Sequence, residues 1–328
     1  MKNIVLAGAS IAALAMAAPA AAQSSSTVDQ TGNGNTADVF QENSNASTVT
    51  QVGDNNIALV DQTIGDGNVS TVTQDATGAN DAAVFQNGLG GTSTIEQTAD
   101  ATDDVAIVVQ DVLSVGATAT ITQTGNGGGS SANIALIDQD DGSNSTASIS
   151  QSGLTNAAET IQEGSDNLSD VLQSGISGIV FVDQVGDGNT DLTIQGGDTN
   201  FADVNQGAVG AGVSGTTSTI FQDGTANSAT VNQLADNNES FIDQGFNLGT
   251  GNLATVNQTG TGNFSAIEQG AGSVSNGNIA DVLQSGNDNI SFVSQNGDTN
   301  SALVSQLTDG NFSDVIQSGN GNSANVSQ

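Results

Sequence analysis

Small or β-branched residues alternate with polar ones along nearly the whole chain, in runs of about seven positions, and each run closes on a glutamine. Segment 284–306, QSGNDNISFVSQNGDTNSALVSQ, contains two such runs. Asn289, Ser291, Val293 and Gln295 occupy alternate positions, and Asn300, Ala302, Val304 and Gln306 repeat them 11 residues later. Strict period 2 predicts a strand, because successive side chains of an extended backbone leave on opposite faces. Aligned on the glutamine, the chain divides into 26 units, the first ending at Gln30 and the last at Gln328, and 15 of the 25 intervals are 11 residues long. Two positions before the glutamine stands Val or Ile in 24 units, with Thr160 and Thr193 the exceptions. Four before it stands Ala or Ser in 24, with Val180 and Asp191 the exceptions. Asn stands six before it in 19 units and Gly two after it in 14. The unit is therefore N-x-[AS]-x-[VI]-x-Q-x-G-x-x, a seven-residue strand followed by a four-residue arc.

Period 2 puts Asn, the small residue, the β-branched residue and Gln on one face, and that face is expected to be internal. A lone strand cannot bury it. Two strands joined by an arc can face each other as one rung of about 22 residues, and rungs can stack by backbone hydrogen bonds at roughly 4.8 Å. The expectation is an all-β fold, a two-sheet β-solenoid of 13 strand-arc-strand rungs with amyloid-like cross-β stacking, about 60 Å long. An internal amide without partners costs about 1–3 kcal/mol. Stacked in register, amides satisfy one another and penalise slippage. The expected structural amide ladder in the last part of the chain is Asn263, Gln269, Asn278, Gln284, Asn289, Gln295, Asn300, Gln306, Asn311, Gln317, Asn322 and Gln328. Val282, Val293, Val304, Val315 and Val326 are the expected core residues there, and Gly286, Gly297 and Gly319 are expected to turn the arcs through positive φ.

Composition narrows the functional classes. Lys2, the apolar run 4–15 and Ala20-Ala21-Ala22 make residues 1–22 an expected secretory signal peptide, leaving 23–328 as the repeat region. Lys2 is the only basic residue, and all 35 acidic residues lie beyond it. The repeat region therefore has no Lys, Arg or His with which to bind nucleic acid phosphates, and its charge disfavours anionic lipid. There is no cysteine for a disulfide framework, and no second apolar stretch is long enough to span a membrane. Low hydrophobicity with high charge would ordinarily point to disorder, but the order of residues overrides composition.

The unit resembles the curlin repeat, the Ser/Asn-x5-Gln-x-Gly-x-x-Asn-x-Ala-x3-Gln pattern of curli amyloid subunits, and the resemblance runs over residues 23–328. It implies a β-solenoid exported across the outer membrane of a Gram-negative bacterium. It also implies polymerisation of the chain with itself into extracellular or cell-surface amyloid fibres that serve adhesion and biofilm formation. A curli-type nucleator and outer-membrane export machinery are the implied partners, with abiotic or host surfaces as possible targets. The chain departs from the family in its length, in lacking Tyr and basic repeat residues, and in long arcs around 125–131, 207–215 and 245–251. Major subunit, nucleator and long repeat adhesin all remain open.

Neither terminal unit carries an obvious polar cap, so head-to-tail addition into an open filament is the expected mechanism. On the outward positions, Thr48/Thr50, Thr71/Thr73, Thr92/Thr94 and Thr118/Thr120/Thr122 make a threonine ladder in alternate units, while Ile57/Leu59, Val105/Ile107/Val109, Ile134/Leu136 and Ile179/Phe181 make the other side apolar. The ladder motivates an alternative, a monomeric surface- or ice-binding solenoid, although after Ser150 it gives way to Leu168/Leu172 and Leu192/Ile194. Outward carboxylates such as Asp61, Asp138 and Asp183 would repel in a stack, so acid or divalent cations are expected to speed assembly. The Gly-Gly-x-Gly-x-Asp calcium nonapeptide is absent, and no metal or cofactor is expected. Catalysis is disfavoured too. The pairs Asp103/Asp104 and Asp140/Asp141 are adjacent turn residues, and the repeat region lacks His, Cys, Lys, Arg, Tyr and Trp for activating a nucleophile or stacking a sugar.

Overall fold

The computed structural model describes residues 24–75, 78–98, 102–125, 132–207, 212–245, 249–270 and 275–328. The expected leader 1–22 and the central parts of the three long arcs, 126–131, 208–211 and 246–248, lie outside the described residues. What is described is all-β, with 27 strands and no helix. Alternate strands sort into two parallel sheets. Sheet 1 holds 13 strands from Ser25–Thr31 to Phe312–Ser318. Sheet 2 holds 14, from Thr36–Gln41 to Ser323–Ser327, one of them being the two-residue strand Val213–Ser214, which lies off the main path against Gly186 and Asp187. The result is a β-solenoid of about 12 turns with about 23 residues each.

Register follows the repeat. Ile290–Asn296 pairs with Phe312–Ser318 so that Ser291 meets Ser313, Val293 meets Val315 and Gln295 meets Gln317. In sheet 2, Ile279–Gln284 aligns Ala280, Val282 and Gln284 with Ala302, Val304 and Gln306. A one-residue slip would send every internal side chain to solvent, so the alternation itself holds the register. The longest strands, Thr146–Leu154, Leu168–Ile176, Ile179–Asp187 and Thr190–Asp198, have 9 residues each. They lie where glutamines recur at unbroken intervals of 11 residues. Equal spacing alone does not lengthen the strands, since those between Gln284 and Gln328, at the same interval, have 5–7 residues.

The core is one thin apolar column from Val49 to Val315, made of the β-branched residue of each unit and the alanines. The small position differs by sheet: Ser47, Ser70, Ser93, Ser240, Ser265 and Ser291 lie in sheet 1, whereas Ala58, Ala82, Ala106, Ala254, Ala280 and Ala302 lie in sheet 2. At mid-stack the column turns polar. Thr160 and Ser169 hydroxyls lie 3.3 Å apart across the core, and Asp191 and Thr193 are both buried.

The outward faces change character at the same level. In sheet 1, Thr48, Thr71, Thr94, Thr120 and Ser148 form one register column, and Asp170 and Leu192 continue it. Beyond that point sheet 1 presents aromatic residues, with ring centroids 5.8 Å apart for Phe221–Phe241, 5.5 Å for Phe264–Phe292 and 6.0 Å for Phe292–Phe312. Sheet 2 does the reverse. Its early strands present Ile57, Leu59, Ile107 and Leu136, whereas Thr230/Asn232 and Thr255/Asn257 occupy the later ones, with Leu253, Ile279, Leu283 and Leu303 as apolar exceptions.

Candidate assembly interface: the amide ladders

Two continuous glutamine ladders run through the described stack. In sheet 1, Gln30 Nε2 donates to Gln51 Oε1 at 2.6 Å, and the same bond repeats rung by rung until Gln295 donates to Gln317 at 2.8 Å. In sheet 2 the ladder runs from Gln41, which donates to Gln62, to Gln306, which donates to Gln328 at 3.1 Å. Gln269 and Gln284 belong to these two series. Chain separations between partners range from 21 to 29 residues, so the ladder continues across arcs of unequal length.

The second amide hydrogen has its own acceptor. Gln295 Nε2 also donates to the carbonyl of Ile279 at 2.9 Å, and Gln306 Nε2 to that of Ile290 at 3.0 Å. Each of these acceptors starts the preceding strand, in the opposite sheet. One glutamine therefore fastens its own sheet along the stack and the two sheets across the core.

The asparagines bond differently. Asn278, Asn289, Asn300, Asn311 and Asn322 each donate a backbone N–H to the Oδ1 of the asparagine one rung earlier, at 2.7–3.1 Å. Asn263 serves as acceptor for Asn289 and donates its own N–H to Asn238. The side-chain nitrogens of Asn278 and Asn300 turn to the arcs, donating to the Gly297 and Gly319 carbonyls, both at 2.8 Å, whereas those of Asn263 and Asn289 are buried without a partner among the described residues. Asn322, which donates to Asn300 Oδ1 at 2.9 Å, adds a side-chain bond along the stack. Val282, Val293, Val304 and Val315 are buried between the ladders, and Val326 packs against the core half-buried.

Arc glycines meet two separate demands. Gly297 and Gly319 have φ of 109° and 97°, in the region that glycine enters without a Cβ clash. Gly286 has no positive φ, but a Cβ there would lie 2.2 Å from the Thr308 carbonyl one rung on. Close stacking alone excludes a side chain at that position. A second left-handed position, four residues past the glutamine, is occupied by Asn55, Asp288 and Thr299 at φ of 55–62° and by glycine in other units, among them Gly34, Gly90, Gly188, Gly262, Gly310 and Gly321.

The ladders have a direction. Every Nε2 donates toward the higher-numbered rung, so at the first described rung Gln30 Oε1 and Gln41 Oε1 have no glutamine donor among the described residues. At the last described rung, Gln317 and Gln328 use one amide hydrogen on the Ser301 and Phe312 carbonyls and have no further glutamine acceptor among the described residues. Among the described residues, the first rung thus holds the unmatched glutamine acceptors and the last the unmatched donors.

The curlin associated repeat matches residues 43–75, 217–245, 275–307 and 297–328. The chain carries curlin associated repeats. The matched segments sit at the start, middle and end of the described stack, and the turns between them carry the same glutamine bonds, so the curlin geometry extends well beyond the matches. Among curated proteins none matches the chain. The repeat and the solenoid together fit a structural protein of curli type. Among the described residues no helix is long and apolar enough to cross a membrane, and no group of three potential metal-ligating side chains occurs.

Carboxylates modulate this structure. Burial pushes Asp191 up to about 8, partly opposed by the hydrogen bond from Thr193. Burial also raises Asp138, Asp183, Asp203, Asp243 and Asp281, and together with neighbouring carboxylates lifts Asp140 to about 6.

Proposed function

We propose that this protein is an exported fibre subunit whose ligand is another copy of itself, joined end to end into curli-type amyloid of the extracellular matrix. The polarity of the two glutamine ladders carries the reading. A second copy whose Gln30 and Gln41 side-chain carbonyls accept from Gln317 and Gln328, which have no glutamine acceptor among the described residues, continues both ladders with the bond used at every internal rung. Such an addition is heterologous and does not close, so it produces a filament. Residues 1–22 serve as the export leader, a nucleator and an outer-membrane pore as assembly partners, and adhesion and biofilm cohesion as the output.

The threonine column at Thr48, Thr71, Thr94 and Thr120 gives less support to a surface-binding monomer, because Asp170 and Leu192 interrupt it at mid-stack. Fibre diffraction and electron microscopy of residues 23–328 test the assignment. Filaments with reflections near 4.8 and 10 Å, strands lying across the axis, support it. A monodisperse β-rich monomer in sedimentation at high concentration contradicts it.

A further inference from the structure

The reversal of surface character between the two halves of the stack has a geometric consequence. Sheet 2 is mainly apolar in its first seven strands, Thr36–Gln41 to Ile179–Asp187, whereas sheet 1 is mainly apolar in its last seven, Leu168–Ile176 to Phe312–Ser318. The two patches lie on opposite sheets and at different levels, so one copy cannot cover both. We propose that two copies in the same orientation pair side by side, offset by about six rungs or roughly 30 Å, with the early half of sheet 2 on one against the late half of sheet 1 on the other.

In the middle register columns this offset sets Leu59 opposite Leu192, Ile107 opposite Phe241 and Leu136 opposite Ala266, apolar against apolar, while Ala83 meets Thr219, Glu159 meets Phe292 and Phe181 meets Asp314. Seven rungs of six-residue strands bury about 650 Å2 on each copy, roughly 1,300 Å2 in all, within the range of stable specific interfaces. In filaments the same offset lays the threonine half of sheet 1 against the later, mostly hydroxyl and amide half of sheet 2. A single translation therefore serves both patches of every copy. Asp38 falls opposite Asp170, and Asp61, Asp81, Asp138, Glu159 and Asp183 on one face and Glu239, Asp243, Glu268 and Asp314 on the other enter the same contact without a cation, so acid or high salt favours the pairing.

The pairing extends the fibre reading, and the two fail separately. Because the chain has no cysteine, single Ile107→Cys and Phe241→Cys chains can be mixed, assembled, mildly oxidised and mapped by mass spectrometry. The expected product is mainly the disulfide between Ile107→Cys and Phe241→Cys. Leu136→Cys with Ala266→Cys is a second pair, in case either of the first variants folds poorly by circular dichroism. Dominant self-linking of Ile107→Cys, dominant linking of Ile107→Cys to Thr94→Cys on the same level, or no link in either pair overturns the offset. Seeded elongation measured on the same samples reports axial growth independently, so cross-linked pairs without elongation count against the fibre reading and leave the lateral one standing.

Discussion

Thr193 Oγ1 donates to the Asp191 carboxyl at 3.2 Å inside a core in which both residues are buried. In register, Asp191 lies between Ser169 and Ser218, where the other strands of sheet 1 carry Ser or Ala. Its carboxyl titrates near 8 in the folded chain, against 3.8 as its ordinary value. The folded state thus holds a proton that the unfolded state releases, so stability is greatest below the lower value, falls as pH rises between the two, and levels off above the higher. Each pH unit in that window is worth up to about 1.4 kcal/mol for one proton. Urea midpoints of the folded protein are expected to fall from pH 5 to pH 8, and Asp191→Asn is expected to reduce that slope. The raised surface carboxylates act in the same direction, so some slope remains in the variant. An unchanged slope in Asp191→Asn would remove Asp191 from the account.

Gln173 lies mid-ladder, receiving from Gln151, donating to Gln195 and fastening the Ala157 carbonyl. Gln173→Ala leaves the Gln151 amide and the Gln195 side-chain carbonyl without their ladder partner, unfastens the Ala157 carbonyl and opens a cavity, a loss of roughly 2–5 kcal/mol. The neighbouring outward change Leu172→Ala is expected to cost much less. Denaturant titration of both variants decides whether the ladder or general strand packing stabilises the stack.

Gly286 and Gly310 separate the two reasons for glycine. A Cβ at Gly286 meets a carbonyl at 2.2 Å with ordinary φ, whereas Gly310 has φ of 70° and open space. Gly310→Ala is expected to cost about 1–2 kcal/mol, the ordinary left-handed penalty. Gly286→Ala must push adjacent rungs apart, so its midpoint is expected to fall further. The reverse order would mean that the arcs yield more readily than the close stacking suggests.

Much of this architecture is legible in the chain itself. The 11-residue interval and period 2 identify strands, internal faces and a rung of two units, because only one face of each strand carries the constant Gln, Val/Ile and Ala/Ser. What escapes is whatever depends on the partner rung. The bond from Gln295 to Ile279 links opposite sheets, and nothing in a single unit marks that carbonyl as its acceptor. Asn289 reads like Gln295 as a stacked amide, yet its shorter side chain reaches a backbone N–H where glutamine reaches another glutamine. The left-handed conformation at Thr299 cannot be read from its own unit, and only the glycines at the same place in the next two units, Gly310 and Gly321, point to it.

The central claim is that the end of one copy templates the next through the glutamine ladders. Its most direct measurement is the elongation of residues 23–328 after removal of denaturant, seeded with fragmented fibres of the same chain and followed by thioflavin fluorescence. Parallel samples use a monomer that carries both Gln317→Leu and Gln328→Leu, which lacks the glutamine donors of the last rung. The account predicts that wild-type seeds abolish the lag of wild-type monomer and that the double variant elongates many-fold more slowly while keeping its β-rich spectrum. Equal lag with and without seeds, or equal elongation by the double variant, would contradict it.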